Sequence, residues 1–151
     1  MGVEKTLIII KPDALSKRLA GKVITRIEEK TDLKIISLKM TRLSRARVKE
    51  FYIEHKGKDF YEPLTSFITS NPILVMVVKG PAAIQKMRNL MGATHPDDAD
   101  KGTVRELWAQ DGRHNIIHGS DSISSAAREV EFFFPKGENL YDWKKKEYPI
   151  V

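Results

Sequence analysis

The chain has 151 residues, 41% of them hydrophobic and 30% charged, the size and balance of one domain spanning 1–151 with a core of its own. A formal charge of +6 and a pI near 9.5 favour polyanions, a class that includes nucleotides, nucleic acids and anionic lipid surfaces, without choosing among them. No apolar run approaches the ~20 residues of a membrane-spanning helix, and zero cysteines exclude disulfides and thiolate metal sites.

Met1 to Lys5 enters an apolar run with no basic leader or cleavage site, so no export signal is read and a cytoplasmic protein without membrane attachment is expected. Thr6 to Ile10 is short and β-branched and predicts a strand. Ala20, Val23, Ile24 and Ile27 recur at helical spacing, and Lys34 to Met40 predicts a second strand. Ser44 is placed to cap a helix carrying Val48, Phe51, Tyr52 and His55 on one stripe. A further helix over Tyr61 to Ser70 ends at Asn71-Pro72, since proline biases its predecessor away from helix. Ile73 to Val78 is the third strand, and Gly80-Pro81 opens a helix with Ile84, Met87 and Met91 on its apolar stripe, closed by Gly92. Ala93 to Asn115 has no sustained period, the mark of a functional or disordered loop. Asn115 to His118 reads as a short strand, followed by a helix from Asp121 to Val130 that buries Ile123, Ala126, Ala127 and Val130. The order suits an α+β plait, a small antiparallel sheet with helices on one face.

His118 stands at the end of that last strand, before Gly119-Ser120-Asp121, where Ser120 and Asp121 are expected to cap and the helix amides favour an anion. A neutral imidazole nitrogen is available near pH 7 as nucleophile, base or ligand, and Glu129, on the following helix, is suited to accept a proton from the other ring nitrogen. The plain alternative is a hydrogen-bonded histidine at a strand end. Arg88, inside an apolar stripe, must emerge at a rim or pair with an anion; with Arg105 and Lys11 it supplies cations where loops meet the sheet, the makings of a phosphate clamp. Gly21-Lys22-Val23 lacks the rest of a P-loop, and there is no His-Arg-Asp or Asp-Phe-Gly pair, no Gly-x-Ser-x-Gly and no His-Glu-x-x-His, so P-loop, protein-kinase, serine-hydrolase and zincin chemistries are set aside and no protein-held metal is expected.

Four blocks, Thr6-Leu7-Ile8-Ile9-Ile10-Lys11-Pro12-Asp13, Met91-Gly92-Ala93-Thr94, Gly102-Thr103-Val104-Arg105 and Asn115-Ile116-Ile117-His118-Gly119-Ser120-Asp121-Ser122, together resemble the nucleoside diphosphate kinases nearly end to end. The resemblance implies a ferredoxin-like plait, a four-stranded antiparallel sheet covered by helices. It also implies ping-pong transfer of the γ-phosphate from a nucleoside triphosphate such as ATP to a nucleoside diphosphate through a phosphohistidine on His118, with broad base specificity. By that mapping Glu129 orients the ring, Ser120 supports it and Tyr52 lies beside it. Arg88, Thr94 and Arg105 hold the distal phosphates; Lys11 and Asn115 reach the sugar hydroxyl, Lys11 also nearing the transferring phosphate; Phe60 stacks on the base with Leu64 nearby. Mg2+ rides on the nucleotide, and a homo-oligomer, hexamer before tetramer, is implied. Three positions depart from the family pattern: Ala14 in place of glycine, His95 in place of Asn or Asp, and Asp111 where an apolar wall usually faces the base platform. A nucleic-acid-binding plait is the rival, disfavoured because the strands are aliphatic and carry no aromatic platform.

Overall fold

The computed structural model describes residues 2–149. Four strands, β1 (Val3–Ile10), β2 (Lys34–Thr41), β3 (Ile73–Pro81) and β4 (Ile117–Gly119), form one sheet in the order β2-β3-β1-β4, every pair antiparallel. The helices are α1 (Pro12–Ser16), α2 (Ala20–Lys30), α3 (Arg45–Phe51), α4 (Tyr61–Thr69), α5 (Ala83–Met91), α6 (Val104–Trp108) and α7 (Ile123–Phe133). This is the expected α+β ferredoxin-like fold.

The central strand β1 is buried on both faces, and that dictates the layering. Ile8 and Ile10 pack with Val23, Ile27, Met87 and Met91 of α2 and α5, whereas Leu7 and Ile9 pack with Val48, Phe51, Ile68 and Phe133 of α3, α4 and α7. Alternate side chains of a strand point to opposite faces, so helices cover both faces of the sheet. The one-face arrangement expected from the sequence is corrected, because the unbroken aliphatic run of β1 requires apolar cover on each side.

Ser44 caps α3 as foreseen, its side chain accepting from the Arg47 amide, but α3 stops at Phe51 and a 3-10 turn, Ile53–His55, follows. Gly80-Pro81 does not open a helix. It ends β3, and α5 starts after Ala82, which takes a left-handed conformation (φ 50°). The aperiodic stretch from 93 to 115 is structured by a 3-10 turn, Pro96–Asp98, and by α6, both too short to show a period. His95 Nδ1 caps that turn by accepting from the Asp97 amide. Helix α7 buries Ala126, Glu129 and Phe133, while Ile123 is 71% exposed and Ala127 is exposed, so its expected apolar face is corrected. The buried stripe runs through a carboxylate, which a hydrophobicity pattern cannot reveal.

Beyond Leu140 the chain runs beside the edge strand. The Tyr141 amide donates to the Ile36 carbonyl at the irregularity in β2, Trp143 Nε1 donates to Ile35 O, and Asp142 pairs with both Lys34 and Lys79. Among the described residues no helix is long and apolar enough to cross a membrane.

Candidate active site

Strand β4 is only three residues long, and its register places His118 opposite Ile9. Its side chain therefore shares the Ile9 face, where the Phe51 and Tyr52 rings approach the imidazole edge-on at centroid separations of 5.6 and 6.2 Å. His118 Nε2 lies 2.7 Å from Glu129 Oε1. A carboxylate only accepts, so the ring proton sits on Nε2 and Nδ1 keeps its lone pair; Nδ1 makes no hydrogen bond among the described residues. Ser120 Oγ donates to the same Glu129 oxygen at 2.9 Å and accepts from the Leu7 amide at 3.1 Å. The expected capping role of Ser120 is corrected: Ser122 caps α7 through the Ser125 amide, and Ser120 anchors Glu129 to β1. Gly119 is required by space, since a Cβ there would stand 2.5 Å from Met91 Sδ.

The approach to β4 is strained. Ile116 has φ +75°, and the Ile117 amide donates to the Asn115 carbonyl two residues back at 2.8 Å, a three-residue turn that a β-branched residue disfavours. Three contacts hold it: the buried Asp13 carboxylate accepts from the Ile116 amide at 3.0 Å, the Lys11 amide donates to Ile116 O at 2.9 Å, and the Ile116 side chain is fully buried. Sequence reasoning gave Asp13 no role; its signal was an acidic residue immediately after Lys11-Pro12.

A cavity of about 1000 Å³ opens in front of His118. Every site residue expected from the sequence lines it except Ser120, which is buried beneath. Lys11 is 7% exposed and donates from Nζ to Asn115 Oδ1 at 2.6 Å; burial, reinforced by the Arg105 charge, brings its ammonium down to a pKa of about 8. The Asn115 amide nitrogen donates to Thr94 O and Gly112 O, tying three loop segments together. The Arg105 guanidinium donates to the carbonyls of Asn115, Gly92 and Ile117, and burial, then the Arg88 charge, lowers its pKa to about 10. Gly92 reaches that guanidinium with φ +87°, a conformation natural to glycine. Three of the five guanidinium donors are thus engaged by backbone, and Arg105 is as much a brace for β4 as a cation in the cavity. Arg88 emerges at the rim, exposed, with no ion pair among the described residues. Thr94 is exposed. Tyr52 is buried, and burial followed by the Glu129 charge pushes its phenol pKa up. Phe60, 41% exposed, sits immediately before α4 with Leu64 one turn on.

The chemistry this arrangement supports is anion capture in front of a nucleophile. Lys11, Arg88 and Arg105 bring positive charge to a cavity whose inner wall carries an imidazole with a free, oriented nitrogen. Among the described residues no cluster of three His, Asp or Glu side chains is placed to hold a metal ion.

Both the sequence and the fold resemble those of known proteins. The family model described as nucleoside diphosphate kinase matches residues 4–139. A nucleoside diphosphate kinase of Anaeromyxobacter dehalogenans is 45% identical over 146 residues, covering 96% of this chain and 99% of the relative. One from Persephonella marina is 44% identical over 138 residues, covering 91% and 98%. Among solved structures, a halophilic nucleoside diphosphate kinase from Halobacterium salinarum in complex with CDP superposes with a TM-score of 0.90 at 40% identity, covering 95% of each chain. The Aquifex aeolicus nucleoside diphosphate kinase gives 0.86 at 36%, covering 91% of this chain and 99% of that one.

Proposed function

Because the chain belongs to the nucleoside diphosphate kinase family of phosphotransferases, we propose that it moves γ-phosphates between nucleotides by a ping-pong cycle through phospho-His118. The observation that carries this reading is the His118–Glu129–Ser120 relay, which fixes the ring tautomer and leaves Nδ1 as the attacking atom.

In the first half-reaction the Nδ1 lone pair forms an N–P bond with the γ-phosphorus while the bond from that phosphorus to the β–γ bridging oxygen breaks, and the nucleoside diphosphate leaves. Glu129 stabilises the imidazolium character that develops. In the second, a terminal β-phosphate oxygen of another diphosphate attacks, the P–N bond breaks and the lone pair returns to Nδ1. Phosphoryl transfer asks a protein chiefly for alignment and positive charge around the equatorial oxygens. Arg88 and Arg105 supply that charge, Thr94 a hydroxyl, and Lys11 a cation that reaches the transferring phosphate. Lys11 and Asn115 address the sugar hydroxyl, and Phe60 with Leu64 receives the base. A stacking platform tolerates any base, which underlies broad specificity. The CDP bound to the Halobacterium relative supports nucleotide entry here. Mg2+ is part of the substrate, arriving on the nucleotide phosphates. The chain acts as a single kinase domain in the cytoplasm, assembled as a homohexamer, an assembly that light scattering measures directly.

The deciding experiment is incubation with γ-labelled ATP and magnesium. An acid-labile, base-stable phosphoprotein is expected, discharging onto added GDP, and His118→Gln should take no label. Labelling of that variant would assign the nucleophile elsewhere.

A further inference from the structure

Helices α3 and α7 are tied to each other by a reciprocal pair of arginines. Arg47 of α3 donates from Nη2 to the Phe132 carbonyl at 3.3 Å, and Arg128 of α7 donates from Nη1 to the Phe51 carbonyl at 3.1 Å. Phe51 ends α3 and Phe132 stands one residue from the end of α7. Both carbonyls therefore belong to a last turn, where no intrahelical amide reaches them and an arginine can. The two ties differ in what else they touch. The Arg47 guanidinium pairs with exposed Glu50 and lies over the Phe132 ring, away from the residues that line the cavity. Arg128 does line the cavity. Its Nη2 is 3.6 Å from Glu129 Oε2, and its guanidinium carbon is 5.6 Å from the centre of the Phe51 ring, the ring that meets His118 edge-on.

The Glu129 carboxylate has an uneven set of partners. Oε1 takes both the His118 and Ser120 donors, whereas Oε2 is in no hydrogen bond among the described residues and has Arg128 as its neighbouring cation. The terminal torsion of a glutamate is broad, so two contacts on one oxygen leave the carboxylate plane free to swing about that oxygen. A guanidinium seated on a helix-end carbonyl holds a fixed place beside the other oxygen, and its charge opposes the swing. We propose that Arg128 is a positioning residue for phosphoryl transfer: anchored on the Phe51 carbonyl, it holds the plane of the Glu129 carboxylate and, through it, the direction of His118 Nδ1. The inference rests on the reading of His118 as the nucleophile. It gives the two arginines separate tasks. Arg47 joins the helices, and Arg128 joins them at the oxygen that orients the ring.

Single-turnover formation of the phosphoenzyme from γ-labelled ATP and magnesium gives the saturating rate and the half-saturating concentration separately. Arg128→Met should lower the saturating rate roughly 3- to 10-fold, the scale of a charge pair at a half-exposed arginine, and leave half-saturation within about twofold. Arg128→Lys, which returns a cation without the planar fork, should fall between the two. Arg47→Met should unfold at lower urea and keep the rate of the unaltered protein. In a Glu129→Gln background, Arg128→Met should slow transfer by less than about twofold, because the charged oxygen it addresses is gone. Should circular dichroism show Arg128→Met unfolded, Arg128→Gln takes its place. The proposal is overturned by an unchanged saturating rate, by an equal loss in Arg47→Met, or by a full loss retained beside Glu129→Gln. A rise in half-saturation alone also overturns it and assigns Arg128 to the substrate phosphates. Each of these leaves the kinase reading intact, whereas failure of the unaltered protein to take label overturns that reading itself.

Discussion

His118 and Phe60 line one cavity but are held very differently. His118 lies on a strand paired to the buried centre of the sheet, with its Glu129 partner 3% exposed and tied through Ser120 to the backbone of β1. Phe60 projects from the short connection into α4, 41% exposed, with the His55 ring 5.0 Å away as its aromatic neighbour. In the proposed cycle the His118 nitrogen must meet phosphorus at a fixed distance and angle, where small misplacements are expensive. A stacking platform needs only a face. The molecule spends its rigidity on the imidazole and leaves the base wall near solvent.

The comparison can be broken most decisively at Glu129. Glu129→Gln should lower kcat by on the order of 10²-fold or more with little change in KM, because a misoriented or wrongly protonated imidazole fails in chemistry, not in binding. An equal loss in KM would show that the relay also shapes the cavity. A middle effect is expected at Lys11. Its ammonium is charged below about pH 8 and neutral above it, so KM for nucleotide should rise as pH passes through that value. In Lys11→Gln, KM should be about tenfold higher and flat across the window. Stability runs the other way: the unfolded lysine binds its proton up to the ordinary range near 10.5, so the unfolded chain holds more protons between about 8 and 10.5 and the fold gains stability as pH climbs through that interval. Urea unfolding at both limits measures the gain. The smallest effect is expected from Phe60→Ala, about a 5- to 10-fold rise in KM with kcat nearly unchanged, as for loss of one stacking surface. A large fall in kcat would mean that Phe60 holds His118 as well as the base.

Much of this contrast is legible in the sequence. Thr6 to Ile10 and Ile73 to Val78 announce the central strands by their β-branched runs, and the octapeptide around His118 marks the centre. Hidden are the features that depend on partners far along the chain. Helix α7 looks as if it should bury Ile123, yet the fold buries Glu129, since the carboxylate has His118 and Ser120 to satisfy it. Ser120 has the form of a helix cap, and only the Leu7 amide, 113 residues away, shows it to be a support. Helices α1 and α6, each five residues, fall below the length at which periodicity speaks. The second helical layer follows from the double burial of β1, a property that two-sided apolar strands imply but do not declare.

Ile116 carries one more consequence. Glycine would adopt its backbone angles more comfortably, but glycine has nothing to sink into the core. The isoleucine side chain, packed among the apolar residues beneath the sheet, nails the bend in place from below while Asp13 grips it by its amide. The position of the His118 ring is thereby written partly in hydrocarbon: a greasy anchor two residues upstream decides where the nitrogen proposed to react is held.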